Sequence, residues 1–269
     1  MSSPSTTSFD VARAKLPPDT VAIVTGAAQG LGKCFAEGLL DKGAKGVIIA
    51  DINEPGGMKT AQELSDRFGG GRVIFVKCDV TSAAEVEAVF AVTKEKFGAI
   101  TLVVNNAGIC NEKDIELSMG VNFNGVAYGT YTAIKYMSPA EGGRGGKIIN
   151  ISSISGFKPQ PLIPIYVAGK AAVEGMTRSL MADPRLSGQG ITFGILCPGS
   201  VETHSFSQMV LRNPEDDLKT LAKDLDKHVK MDISTVRNAF LQLVLDESWC
   251  GKVMVILPEE GIFDGTAAN

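Results

Sequence analysis

From Thr20 onward, short runs rich in Val and Ile alternate with longer stretches of helical period, and this rhythm restricts the fold more than any other feature of the chain. The runs are TVAIVT, KGVIIAD, RVIFVKCD, TLVVNN, KIINIS, ITFGILCP and KVMVILP. None alternates strictly between polar and apolar residues, which is the pattern of strands in a parallel sheet covered on both faces. Between them apolar residues recur three and four apart, as at Phe123, Val126, Thr130, Ala133 and Met137. Parallel strands cannot be joined by hairpins and need a crossover, usually a helix. The sequence therefore predicts one α/β domain over residues 18–269, with a doubly wound sheet of seven parallel strands and helices on both faces.

Two segments stand outside the rhythm. Residues 1–17, MSSPSTTSFDVARAKLP, are rich in Ser, Thr and Pro and have no apolar core of leader-peptide length, so a loose N-terminal arm is expected. Between ITFGILCP and KVMVILP lies PEDDLKTLAKDLDKHVK, where Leu218, Leu221, Ala222, Leu225 and Val229 form an apolar stripe beneath a charged face. It reads equally as a surface helix on the core or as a substrate lid over about residues 200–231.

Composition removes several classes of function. No apolar run is long enough to span a bilayer. A net charge of -4 and a pI near 5.4, with Lys and Arg scattered among acids, supply no field for a phosphate backbone, so nucleic acid is not an expected partner. The five cysteines are far apart and lack metal-ligand or C-x-x-C spacing, which points to reduced thiols, a cytoplasmic setting and no metal.

The first run leads directly into TGAAQGLGKCFAEGLL, with Gly26, Gly30 and Gly32 at the turn and helix start. Glycines allow close backbone approach, and the free amides of a helix N-terminus attract a pyrophosphate. Asp51, at the end of the second run, can accept both hydroxyls of an adenosine ribose. A 2′-phosphate would meet a like charge there, and neither Ala28 nor Gln29 supplies a cation, so NAD is favoured over NADP. A strand-end cap is the plainer role for Asp51, as turn chemistry is for Asp79 and for NNAG at Asn105–Gly108.

In YVAGK, Tyr166 and Lys170 stand four apart, which stacks them on one face of a helix, and Ser153 ends the fifth run thirteen positions earlier. That strand edge is where open α/β sheets bind ligands. Bringing a phenol from a pKa of about 10 to near neutrality takes roughly 4 kcal/mol. One cation about 4 Å away at an effective dielectric of about 20 supplies a comparable amount, so Lys170 is expected to provide much of it. Tyr166 would then take the proton of an alcohol as hydride leaves its carbon, with Ser153 holding the substrate oxygen.

TGAAQGLG, NNAG, the Ser153/Tyr166/Lys170 set and CPGSVET together resemble the short-chain dehydrogenase/reductase family, over about Thr20 to Pro258. Within it the sequence is similar to the 15-hydroxyprostaglandin dehydrogenase-like and insect alcohol-dehydrogenase-like groups. The resemblance implies a Rossmann-type domain that binds NAD. It places Gly26, Gln29, Gly30, Leu31 and Gly32 along the pyrophosphate, Asp51 and Ile52 at the ribose, and Asp79 and Val80 at the adenine. It also assigns Asn106, Ala107 and Gly108 to the middle of the cofactor, and Pro198, Gly199, Val201 and Thr203 to the nicotinamide end. Asn122 would bind a water that continues a proton path from Lys170, which itself would also hold the nicotinamide ribose.

The chain departs from the prostaglandin group at Ile163, where a polar amide is usual, and at Ser200, where the group has a bulky aromatic. Gly169 also replaces the usual small polar residue before the lysine. With Ile154, Pro161, Leu162 and Pro164 nearby, the expected substrate is an apolar secondary or allylic alcohol, such as a hydroxy-lipid, oxylipin or terpenoid, or the corresponding ketone. The alternatives are an NAD(P)H-dependent carbonyl reductase and a non-catalytic nucleotide sensor. A homodimer or homotetramer packed through the helices of Asn122 and Tyr166 is implied by the resemblance.

Overall fold

Each of the seven expected runs forms a strand in the computed structural model, which describes residues 9–201, 209–212 and 230–267. The strands are β1 (Val21–Thr25), β2 (Gly46–Asp51), β3 (Val73–Lys77), β4 (Leu102–Asn105), β5 (Gly146–Ile151), β6 (Ile191–Pro198) and β7 (Val253–Leu257). All pair in parallel, and β1 lies between β2 and β4, so the chain departs in opposite directions from that point. An eighth strand, β8 (Gly261–Asp264), pairs antiparallel with β7, so the sheet is not the seven-stranded, wholly parallel one expected. The reason is the short turn between them, which leaves room for a hairpin and none for a crossover.

The helices are α1 (Gly30–Asp41), α2 (Glu54–Phe68), α3 (Ala83–Phe97), α4 (Ile115–Met119), α5 (Gly125–Met137), α6 (Pro164–Met181), α7 (Pro184–Ser187) and α8 (Ile233–Leu245). Alternate residues of each central strand serve opposite cores. Ala22 and Val24 pack with α1, α2 and α8, for example against Phe35, Leu64 and Phe240. Ile23 faces Phe90, Ala133 and Met137 of α3 and α5. This two-sided burial is why the strand runs show no alternation.

A π turn, Gly120–Asn124, joins α4 to α5 and interrupts the helical period that the sequence carries through Phe123. Asn122 sits in it, with no solvent exposure. Of the expected arm, residues 9–17 are docked: Leu16 is buried, and the ammonium of Lys42 donates to the carbonyls of Val11 and Ala12. Residues 1–8 and most of the expected lid, including the Leu218–Val229 stripe, lie outside the described residues.

Candidate active site

The nucleotide end is built from backbone. Gly26 and Gly30 have φ of 64° and 58°, and Gly32 is packed so tightly that a Cβ there would lie 2.3 Å from the carbonyl oxygen of Gly26. α1 begins at Gly30 with no side-chain cap on its first amides and no acid in its first turn. An anion placed there therefore meets unscreened N–H dipoles. Leu31 is half-buried against the core behind the turn.

Asp51 performs the structural role considered for it while keeping acceptor capacity. Its Oδ2 accepts from Ala28 N at 2.9 Å and its Oδ1 from Asn53 N at 2.9 Å, so one carboxylate fixes both the glycine turn and the start of α2. Each oxygen retains a further lone pair. Ile52 beside it is 61% exposed. Asp79 accepts from the N–H and hydroxyl of Thr81, the turn chemistry anticipated for it, and Val80 is buried against Gly125.

The two asparagines of NNAG point opposite ways, as successive strand residues do. Asn106 donates from Nδ2 to the carbonyls of Thr25 and Gly26, and the Thr25 hydroxyl accepts from the amides of Asn106 and Ala107. Asn106 thus acts on any cofactor by shaping the glycine turn. Asn105 turns inward and donates to Asn150 Oδ1 at 2.8 Å, and Asn150 donates to Thr177 at 2.8 Å, a buried polar chain beneath the site that sequence reasoning missed. Gly108 packs close to the Asn122 and Lys170 side chains, where a Cβ would lie 3.2 Å from Asn122 Oδ1 and 3.4 Å from Lys170 Nζ.

At the catalytic end, α6 carries Tyr166 and Lys170 on one face, as their spacing requires. Lys170 is 3% exposed, its Nζ donates to the carbonyl of Ile151 at 2.9 Å, and it stands 5.6 Å from the centroid of the Tyr166 ring. Ser153, just past β5, accepts from the amide of Ser155 at 3.1 Å, and its hydroxyl favours the ionised form of Tyr166. Glu174, one turn beyond Lys170, accepts from Ser152 at 2.9 Å and from the Cys197 thiol at 3.6 Å.

The electrostatics differ from the expectation that Lys170 draws the phenol toward neutrality. Burial of its hydroxyl end pushes Tyr166 up to about 12, partly opposed by the Ser153 hydroxyl. Burial likewise brings Lys170 down to about 8 from an ordinary 10.5, with Cys197 and Glu174 opposing. Desolvation is the largest cause of both shifts, because each charged form loses water in the pocket. The chain's own residues therefore hold Tyr166 as a phenol.

Asn122 is fixed to the loop after β4: its Oδ1 accepts from Ile109 N at 3.0 Å and its Nδ2 donates to Ile109 O at 2.8 Å, which leaves one amide hydrogen and one lone pair for the water expected there. Ile163 is the N-cap of α6 and is partly buried, while Ile154 packs on the small cluster of Ile195, Cys197, Val253 and Val255. Pro198 ends β6, and the amide of Gly199 donates to Ile256 O at 2.9 Å. Val201 is buried and bridges to Met231, whose amide donates to Ser200 O at 2.9 Å. Thr203 lies outside the described residues. Among the described residues no group of three or more His, Cys, Asp or Glu side chains could hold a metal, and no helix is long and apolar enough to cross a membrane.

Comparison with known proteins agrees with this geometry. Residues 20–214 match the family described as short chain dehydrogenase. The 15-hydroxyprostaglandin dehydrogenase (NAD(+)) of Mus musculus is 36% identical over 249 residues, covering 90% of this chain and 91% of that protein. The protein of the same name from Homo sapiens is 36% identical over 246 residues, covering 90% and 92%. A solved short chain dehydrogenase/reductase from Burkholderia phymatum, in complex with NAD, has a TM-score of 0.77 at 26% identity and covers 88% of each chain. With sequence kinship running through nine-tenths of the chain and a solved member sharing its architecture, the protein belongs to the short-chain dehydrogenase/reductase family.

Proposed function

We propose that this protein is an NAD-dependent dehydrogenase that converts a secondary or allylic alcohol on an apolar small molecule, of hydroxy-lipid, oxylipin or terpenoid character, into the ketone or aldehyde. The observation that carries the reading is the buried Lys170 ammonium, anchored to Ile151 O and facing the Tyr166 ring beside Ser153 at the C-terminal edge of the sheet. A buried amine is costly, and a fold retains one where its charge is used.

The residues fit the dinucleotide. The uncapped start of α1 and the left-handed Gly26 and Gly30 suit a pyrophosphate, and Asp51 suits the ribose diol. Lys77, opposite Asp51 in the ladder, is paired with Glu54 at 3.3 Å, so that cation is already engaged near the place where a 2′-phosphate would need one. When bound, NAD supplies a hydride acceptor and a positive ring beside the phenol. Ser153 would hold the substrate oxygen, and Tyr166, once ionised with its negative charge steadied by Lys170, would accept the alcohol proton and return to the neutral phenol. Pro198, Gly199 and Val201 border the nicotinamide end, and Ile154, Ile163 and Ser200 the substrate. Five unpaired thiols suit a cytoplasmic setting, and the exposed Tyr128 and Tyr131 of α5 suit a homodimer or homotetramer packed through α5 and α6.

The test is a screen of hydroxy-lipids, terpenols and hydroxysteroids for NADH formation. Turnover of an apolar secondary alcohol with NAD+, and at least tenfold slower turnover with NADP+, is expected. Tight NADH binding without turnover of any alcohol or carbonyl compound would replace the enzyme by a nucleotide-binding protein.

A further inference from the structure

α6 starts without a local cap. Its N-cap is Ile163, whose side chain can accept nothing, and Pro164 follows at the first helical position, where it has no N–H. The next two amides, of Ile165 and Tyr166, are those a Ser or Asp N-cap would ordinarily satisfy. Here they are satisfied from elsewhere in the chain. Glu112, only 4% exposed and more than fifty residues upstream, accepts from Ile165 N with Oε2 at 3.0 Å and from Tyr166 N with Oε1 at 2.9 Å.

Glu112 belongs to a loop that is itself fixed from two other sides. Asn122 clamps both backbone groups of Ile109. The segment Met209–Arg212 is laced to the same loop, with Val210 N donating to Cys110 O at 2.9 Å and Glu112 N donating to Val210 O at 2.8 Å. The carboxylate therefore transmits the position of the loop after β4 to the peptide unit of the tyrosine, independently of Lys170. A backbone held by two charge-assisted bonds leaves the Tyr166 side chain little freedom in where its hydroxyl stands.

We infer that Glu112 is the positioning residue of this site: a carboxylate borrowed from the loop after β4 that caps α6 and thereby sets the reach of the Tyr166 hydroxyl. The inference rests on the alcohol-dehydrogenase reading for its kinetic consequence and on geometry alone for the cap. Two variants test it in the full-length protein, Glu112→Gln, which keeps the shape but faces one amide with a donor, and Glu112→Ala, which removes both acceptors.

The first readout, deuterium exchange of the peptide spanning residues 160–172, needs no turnover. The first turn of α6 is expected to exchange at least tenfold faster in Glu112→Ala, with NADH affinity changed less than twofold. The second readout is kinetic and uses the best alcohol from the screen, with and without deuterium on the carbinol carbon. In Glu112→Gln, kcat is expected to fall about tenfold at nearly constant KM, and the isotope effect on kcat/KM to rise, because a misplaced proton acceptor slows the chemical step. A merely structural loss lowers the active fraction and leaves the isotope effect where it was. Unchanged exchange, or a fall in kcat with an unchanged isotope effect, overturns the inference. An inactive wild type that still shows the exchange difference would refute the dehydrogenase reading and leave the cap standing.

Discussion

The nucleotide end and the catalytic end of the site are made of different materials. The first is assembled largely from backbone between Thr25 and Asp51, with Gly26 and Gly32 too crowded for an added methyl and amides left open. The second is assembled from side chains brought together over long stretches of sequence: Lys170 with Ile151, Asn122 with Ile109, Glu112 with Tyr166. It buries an ammonium and two carboxylates, and half-buries a phenol whose hydroxyl loses water there. The nucleotide end should thus be intolerant of bulk and indifferent to distant charges, and the catalytic end should be the reverse.

The largest effect that sharpens this division is expected from Tyr166→Phe. Removing the hydroxyl leaves the ring packing and the glycine turn intact, so kcat should fall by about 100-fold to 10,000-fold. NADH binding, followed by fluorescence, should stay within about twofold of wild type, since it depends on the other end. A parallel loss of NADH affinity would show that the two ends are not separable. Next in size is Gly32→Ala, whose methyl would meet Gly26 O at 2.3 Å and Ala27 Cα at 2.9 Å. Neither neighbour is a side chain that can turn away, so a destabilisation of about 3 kcal/mol in urea melts is expected. Gly30→Ala meets nothing within 4 Å and suffers only from its φ of 58°, so its cost should be nearer 1 kcal/mol. Equal costs for the two would refute crowding as the reason for Gly32.

The same contrast explains what the sequence could reveal. The strand runs, the glycine turn and Asp51 were legible because periodicity, positive φ and strand-end position are local properties. β8 was missed because GIFD is four residues long and its direction depends on the turn before it. The π turn was missed because Phe123, Val126 and Thr130 keep an ordinary apolar spacing through it. The pairing of Tyr166 with Lys170 could be read from a spacing of four, but the sign of the net effect on the phenol could not. That sign depends on how much water each group has lost, which is a property of the assembled pocket. Glu112 left no local trace, since nothing in NEKD indicates that its acid will cap a helix more than fifty residues later.

A smaller effect is expected at Asp51, where the two materials meet. Asp51→Asn keeps one acceptor for Ala28 N or Asn53 N and removes the charge that favours a free ribose diol. NADH should bind about tenfold more weakly, in line with the loss of a charge-assisted hydrogen bond. NADPH should lose less, or gain, because the like charge has gone. If both cofactors weaken equally, Asp51 acts only by holding the turn, and the preference for NAD has another origin.

The smallest effect reverses the usual direction of an active-site substitution. Lys170 titrates at about 8 in the folded protein against an ordinary 10.5, so the folded state holds its proton less readily than the unfolded chain. Between about pH 8 and 10.5 the unfolded chain binds the extra proton, and the stability contributed by this group rises with pH across that window. Below pH 8 both states are protonated and the folded one carries the full cost of a buried ammonium. Lys170→Met removes that cost and leaves Ile151 O without its donor, while Arg178, 3.9 Å from Glu174, still faces the remaining acid. Subtracting about 1 kcal/mol for the lost hydrogen bond from the desolvation relieved gives a variant more stable than wild type by about 2 kcal/mol at pH 7. It should be inactive, and its advantage should shrink in urea melts at pH 9.5, where the native lysine is already neutral. A variant less stable than wild type at both pH values would mean that the amine, like the glycines at the other end, is kept for the fold and not for the chemistry.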